Sequence, residues 1–314
     1  MDVMELLTST LIQGLIYALI SYGVYITYSI LDFPDLGVDG TFPLGAAVTA
    51  VLMTKGVNAW LTLPISLVVG GLAGLFTGVV HVKLGVRNLL AGIITMTALF
   101  SVNLQIAGSN LTIDRATDTI FTSAPVMALL GNLTLTGRKL VVSLVLVIVV
   151  KLLLDAYFHT KSGLLLRAVG DNATLVTTLA KDRGTVKILG LVISNALVAF
   201  GGCIVCHETR SFSATMGTGQ LVYGLAAVII GVSLMHFYTG TRLARGLRKS
   251  RALHFLGSPQ GTTAVVLGSV LYKLCIQIAM SMGLPTNMMK LITAALFLLV
   301  LVLSGRKGEA IIHA

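Results

Sequence analysis

Few side chains in this sequence have the type and spacing that does chemistry, and they fall in three places. Cys203, Cys206 and His207 spell C-x-x-C-H, formally the signature of covalent haem attachment. The stretch LDFPDLGVDGTFPLG, Leu31 to Gly45, gathers the carboxylates of Asp32, Asp35 and Asp39 among two prolines and three glycines. Lys151 and Asp155 stand four residues apart, the spacing at which side chains meet on one helix face. No G-x-x-x-x-G-K-[ST] loop occurs, so the chain has no usual cradle for ATP phosphates. Neither a Ser/His/Asp set nor a metal-ligand pattern stands out, and intrinsic enzymology is unsupported. The C-x-x-C-H run completes an apolar stretch instead of sitting in a fold that could enclose haem. Its cysteines read as packing residues, because a free cysteine behaves as a small hydrophobe.

The elements that must position these residues are apolar throughout. The 314 residues are 55% hydrophobic and 11% charged, and the mean hydropathy is +0.94. A soluble domain would carry roughly twice that charged fraction. Apolar runs of about 20 residues recur, the length that crosses a bilayer. The expected fold is an all-α polytopic membrane protein, a single permease-like domain over residues 1–314. Its spans are Leu6–Ile30, Trp60–Val82, Leu89–Ala107, Lys139–Phe158, Ile188–Cys206, Leu221–Phe237, Leu267–Leu284 and Met288–Ser304. The first is read as a retained helix, since MDVMELLTST lacks the basic start and cleavage site of a secretory signal.

Between the first two spans, Pro34 removes a backbone donor and the glycines allow shapes closed to other residues. Ala46–Met53 is too short to cross alone. A broken or re-entrant element near 31–53 is therefore expected, of the kind transporters use to build a pathway. The chain would have eight spans if this element re-enters and nine if it crosses. Gly70, Gly74 and Gly78 share one helix face and predict a close helix contact. Lys151 and Asp155, near a span's end, are expected to neutralise each other.

The net charge of +10 suggests orientation rather than nucleic-acid binding, for no basic patch is interleaved with aromatics. Lys83–Arg87, 162–187, the acid-free basic loop at 240–258 and the tail with Arg306 and Lys307 fall on one side. By the positive-inside rule that side is cytoplasmic. Gly108–Arg138, the longest polar connection, would then lie outside. The anomaly on the cytoplasmic side is Ser162–Lys187, a charged, amphipathic stretch between apolar runs. It reads as one or two short helices separated near Gly170, with Asp171 or Asn172 capping the second and Gly184 ending it. A helix lying flat on lipid is the simpler alternative. The small residues Ala168, Gly170 and Ala173 suit a protein groove better than a lipid surface.

Residues 163–202 resemble the cytoplasmic coupling loop of ABC importer permeases of the branched-chain amino acid type. Arg167, Ala168, Gly170, Asn172 and Gly184 match the family's R-A-x-G-x-N start and following glycine. LDFPDLGVDGTFPLGAAV is similar to the signature of a subgroup associated with tryptophan- or tyrosine-type binding proteins, as is LGSVLYKL at 267–274. The sequence departs from that pattern at Val232 and at Cys203 and Cys206. The resemblance implies a multi-pass protein of the bacterial inner membrane that translocates a small solute, an amino acid, with aromatic ones among the candidates. Its partners would be a second permease subunit (an identical copy first), two ABC ATPase subunits, an extracytoplasmic substrate-binding protein and membrane lipid. No cofactor is expected in this chain, with ATP and Mg on the partner ATPase. Arg167, Ala168, Gly170, Asp171, Asn172, Ala173, Leu179, Ala180 and Gly184 would couple to that ATPase. Phe33, Pro34, Asp35, Asp39, Gly40 and Phe42, with mid-span Asn103 and Asn195, would line the pathway. The rival reading is an ion- or proton-coupled secondary transporter, for which Asp35 and Asp39 are the near candidates.

Overall fold

A computed structural model describes residues 3–171, 183–240, 261–282 and 288–312. The helices are α1 (Val3–Val24), α2 (Val38–Thr54), α3 (Ala59–Val82), α4 (Asn88–Ala107), α5 (Ala124–Leu130), α6 (Leu135–Phe158), α7 (Lys161–Asp171), α8 (Arg183–Thr209), α9 (Gln220–Gly240), α10 (Gly261–Ser281) and α11 (Met289–Ile312). Among the described residues, six helical segments are long and apolar enough to cross a membrane, and α2 and parts of α9 and α11 form shorter apolar helices. The chain is a polytopic helical membrane protein, with one departure from all-α among the described residues. Asn110–Thr112 (β1) pairs antiparallel with Ser211–Ser213 (β2).

Helix α1 runs on through a π-helical turn, Tyr25–Ile30, which Leu31 N–H closes on the Ile26 carbonyl at 3.0 Å. Asp32 then takes a left-handed φ of 50° and turns the chain back, a shape that Asp tolerates better than most residues. The break is thus confined to 31–37. It does not extend to Gly45 as the prolines suggest, since α2 already begins at Val38 and carries Pro43 inside it. A proline there frees the carbonyl of Asp39. Gly217 packs directly on that carbonyl and on the Pro43 ring, where any side chain would overlap both.

Direction follows from the contacts. Leu31 and Gly170 place the end of α1 against α7 and against Gly190 of α8. The far half of α2 packs with Cys206, Ile113 and Phe212 beside the strands. The α1 N-terminus and the strands therefore lie at one end of the bundle, and α7, Lys83 and Arg87 at the other. The N-terminus thus lies at the end opposite the basic one, and α2 runs towards the strand end.

Helix α8 is the hub. The α3 glycines Gly70, Gly74 and Gly78 meet its backbone at Asn195, Leu191 and Ile188, and Gly45 of α2 meets it at Ala199. Such seams replace the hydrophobic drive that lipid removes. Polar pairs add to them: Ser194 Oγ donates to the Gly23 carbonyl at 2.8 Å, and Ser269 Oγ to the Gly14 carbonyl at 2.8 Å. Lys151 and Asp155 pair at 2.6 Å, and Thr262 Oγ1 of α10 donates to the same carboxylate at 2.6 Å. Gly74→Val would drive a side chain into the Leu191 carbonyl. We expect it to leave little monodisperse protein after detergent extraction, read by size-exclusion chromatography, whereas Gly71→Ala, facing Val192 at ordinary contact distance, should match the wild type.

Candidate functional site

Two helices begin inside the bundle, and both N-termini are closed by carboxylates from the 31–45 stretch. At α2, Asp35 is fully buried, and its Oδ1 accepts the Gly37 N–H at 2.8 Å. Its Oδ2 accepts Asn195 Nδ2 at 2.8 Å, and Asn195 Oδ1 accepts the Thr41 hydroxyl at 2.8 Å. Asn195 lies midway along the 27-residue α8, so this buried network sits at mid-depth. At α9, Asp39 reaches from α2 to a helix 180 residues away in sequence. Its Oδ2 accepts the Gly219 N–H at 3.0 Å, and its Oδ1 accepts the Leu221 N–H at 2.8 Å. A negative charge at a helix N-terminus satisfies orphan donors and complements the helix dipole.

The segment 214–219 therefore descends from the strands into the bundle before α9 starts. Phe42 of α2 packs at Gly202 of α8, seven residues before the end of α8 at Thr209, or about 10 Å at 1.5 Å per residue. A cavity of about 210 Å³ lies where 214–219 meets α2 and α4. Asp39, Gly40 and Asn103 line it together. Asn103 is fully buried, and its Nδ2 donates to the Gly40 carbonyl at 3.1 Å. The other expected pathway residues lie elsewhere. Phe33, Asp35, Phe42 and Asn195 are buried in packing and hydrogen bonding, with Phe33 edge-on to His81, and Pro34 is exposed outside the cavity.

Among the docking residues, α7 buries Gly163, Leu166 and Val169 and exposes Lys161, Leu164 and Arg167. The Arg167 guanidinium lies 4.9 Å from the centre of the Phe158 ring. Gly170 faces inward, since a Cβ there would overlap the Ile30 carbonyl oxygen at the end of the π turn. Ala168 is half-buried on the same helix, and Asp171 is its last residue. Gly184, expected as a helix stop, is instead the second residue of α8, and buried. Asn172, Ala173, Leu179 and Ala180 lie outside the described residues, as does the basic stretch 240–258 beyond Gly240.

The haem-like run is absorbed into the core. Both thiols are fully buried, and His207 Nε2 is 2.8 Å from the Thr62 hydroxyl. Two residues with signals in the sequence went unremarked. Lys273, a charge inside an apolar run, is buried in α10 with its ammonium 4.7 Å from the Tyr17 ring centre. Gly217 carries a G-T-G turn signal. At the strand end of the bundle two recesses of about 560 and 420 Å³ open among Trp60, Asp118, Arg115 and Lys139, and Lys139 pairs with Glu208 at 2.8 Å.

A family profile described as "Branched-chain amino acid transport system / permease component" matches residues 6–301. The chain is 35% identical over 286 residues to a "Tyrosine transport system permease protein" of Clostridioides difficile, covering 91% of this chain and 87% of that one. It is 27% identical over 276 residues to the "Probable branched-chain amino acid transport permease protein LivH" of Methanocaldococcus jannaschii, covering 85% and 86%. A "Ribose import permease protein RbsC" of Escherichia coli K12 is 27% identical over 216 residues, with 68% and 62% covered. No solved structure gives a significant match.

Proposed function

Because this chain belongs to the family of branched-chain amino acid transport system permease components, we propose that it is the membrane subunit of an ATP-driven amino acid importer. The solute is a small amino acid-like molecule, and the tyrosine-system relative supports an aromatic one. The observation that carries the reading is α7. It is a short amphipathic helix at the basic end of the bundle, fastened through Gly170 to the end of α1 and through Leu166 to Gly190 of α8. Pushing on α7 moves two spans, one of which leads straight into the break before α2. A separate ATPase pair would bind the outward face of α7 around Arg167, supplying ATP and Mg from its own chains. A second permease copy would complete the pathway, and a substrate-binding protein would rest on the outer recesses. Alternating access then follows if the two motor states make different contacts with α7. Of the two carboxylates that would serve an ion-coupled carrier, Asp35 is fully buried and committed to Gly37 and Asn195, which does not favour that reading.

The test is reconstitution of the permease with its ATPase and binding protein in liposomes. ATP hydrolysis should rise with tyrosine, tryptophan or a branched-chain amino acid, and uptake should require ATP. Uptake that continues without the ATPase and collapses with the proton gradient would sink the proposal.

A further inference from the structure

We infer that the cavity at Asn103 and Asp39 is a subsite for the ammonium group of the passing solute, a reading that rests on the proposed import function. The first observation is an orphan. Asn103 is fully buried, and its Oδ1 has no hydrogen-bond partner. Its amide orientation is settled by the Gly40 carbonyl, which can only accept and so must face Nδ2. What Asn103 has left is an acceptor, and leaving one unmet inside a bundle is costly unless a ligand meets it.

The rest of the lining has the same bias. The Asp39 carboxylate, which lines the cavity, accepts only from backbone N–H groups, those of Gly219, Gln220 and Leu221. The Thr97 hydroxyl spends its proton on the Ile93 carbonyl, and the Thr218 hydroxyl on the Thr215 carbonyl. Where Asn103 and Asp39 line it, the cavity therefore accepts and carries a negative charge. It favours a cation with several donors and repels a carboxylate. Pro43, Met96 and Phe100 form the apolar wall, suited to a hydrocarbon or aromatic body. At about 210 Å³ the space is smaller than a drug-sized pocket and fits one small solute or its head.

The cavity also has an approach. Thr97, Ser101 and Gln105 repeat every fourth residue on α4 and are all exposed, a polar stripe on a helix otherwise lined outward by Leu, Ile, Val and Phe. Polar groups facing lipid are disfavoured. The stripe runs from the cavity towards the outer end and makes a wetted track for a solute arriving there.

The experiment uses the complete complex in liposomes, with Cys275→Ser to silence the exposed native thiol and Thr97→Cys as a reporter. Maleimide labelling of Thr97→Cys should slow by about tenfold in saturating tyrosine or leucine, a charge-assisted contact being worth at least that. The deaminated acids 3-(4-hydroxyphenyl)propionate and 4-methylpentanoate should not protect. Asn103→Leu should abolish protection, and Asn103→Asp should restore it if the leucine variant folds poorly. Equal protection by the deaminated acids, or no protection by either amine, overturns the inference. Protection by amines without ATP-driven uptake would leave the subsite standing while removing the importer reading. ATP-driven uptake without amine-selective protection would do the reverse.

Discussion

Asp39→Ala is expected to abolish uptake and to lower the thermal midpoint of the detergent-solubilised protein by several degrees. The carboxylate closes the start of α9 through Gly219 and Leu221, and no backbone partner can replace it there. The Leu221 N–H is part-buried, and leaving it unmet costs at most about 1–3 kcal/mol, while the Gly219 N–H is exposed to water; losing the charge at the helix N-terminus adds about 0.3–1 kcal/mol. Asp39→Asn keeps an acceptor oxygen but no charge, so it should fall between wild type and alanine in a thermal scan with a thiol-reactive dye. An alanine variant that melts with the wild type would show that the α2–α9 junction is not held by this residue.

Gly170→Val should separate folding from coupling. The substitution drives a branched side chain into the Ile30 carbonyl and lifts α7 off the end of α1. The helix is short and lies outside the α3–α8 seam, so the chain should still insert and purify. Transport should drop by about tenfold or more, within the usual range of a coupling free energy between sites. Amine protection at Thr97→Cys should persist, because that cavity is built from α2, α4 and 214–219. Measuring uptake and protection on one preparation decides the matter. Unchanged uptake would mean that the α1–α7 contact carries no signal. Loss of protection together with uptake would mean that it holds the fold.

How much of this was legible in the sequence depends on the range of the interaction. The Lys151–Asp155 pair follows from helical spacing and is found as expected. So is the Gly70–Gly74–Gly78 face, whose partner nonetheless had to be seen, since small residues announce a close approach without saying to what. The broken element was expected from Pro34 and Pro43, but only the first lies in the break. Pro43 sits within α2 because Gly217, remote in sequence, occupies the space at the freed carbonyl. The side of the N-terminus was open in the sequence because it turned on whether Ala46–Met53 crosses. Residues before Ala46 extend that helix to Val38, and its far half packs beside the strands. The short β1–β2 ribbon carried no usable pattern, three residues a side being too few for alternation to show.

By itself the sequence determined what depends on composition and on neighbours along the chain. That covers a polytopic helical membrane bundle, its basic end, and α7 as the polar helix there. It also singled out Asp39, Gly40 and Asn103 as pathway residues without saying that they share a cavity. Tertiary structure decided which carboxylate meets which amide. Asp35 faces Asn195 across 160 residues and Asp39 faces Leu221 across 182. Inside a membrane bundle a polar group is satisfied by whatever comes within about 3 Å of it, and that distance is set by helix packing, which no local pattern encodes.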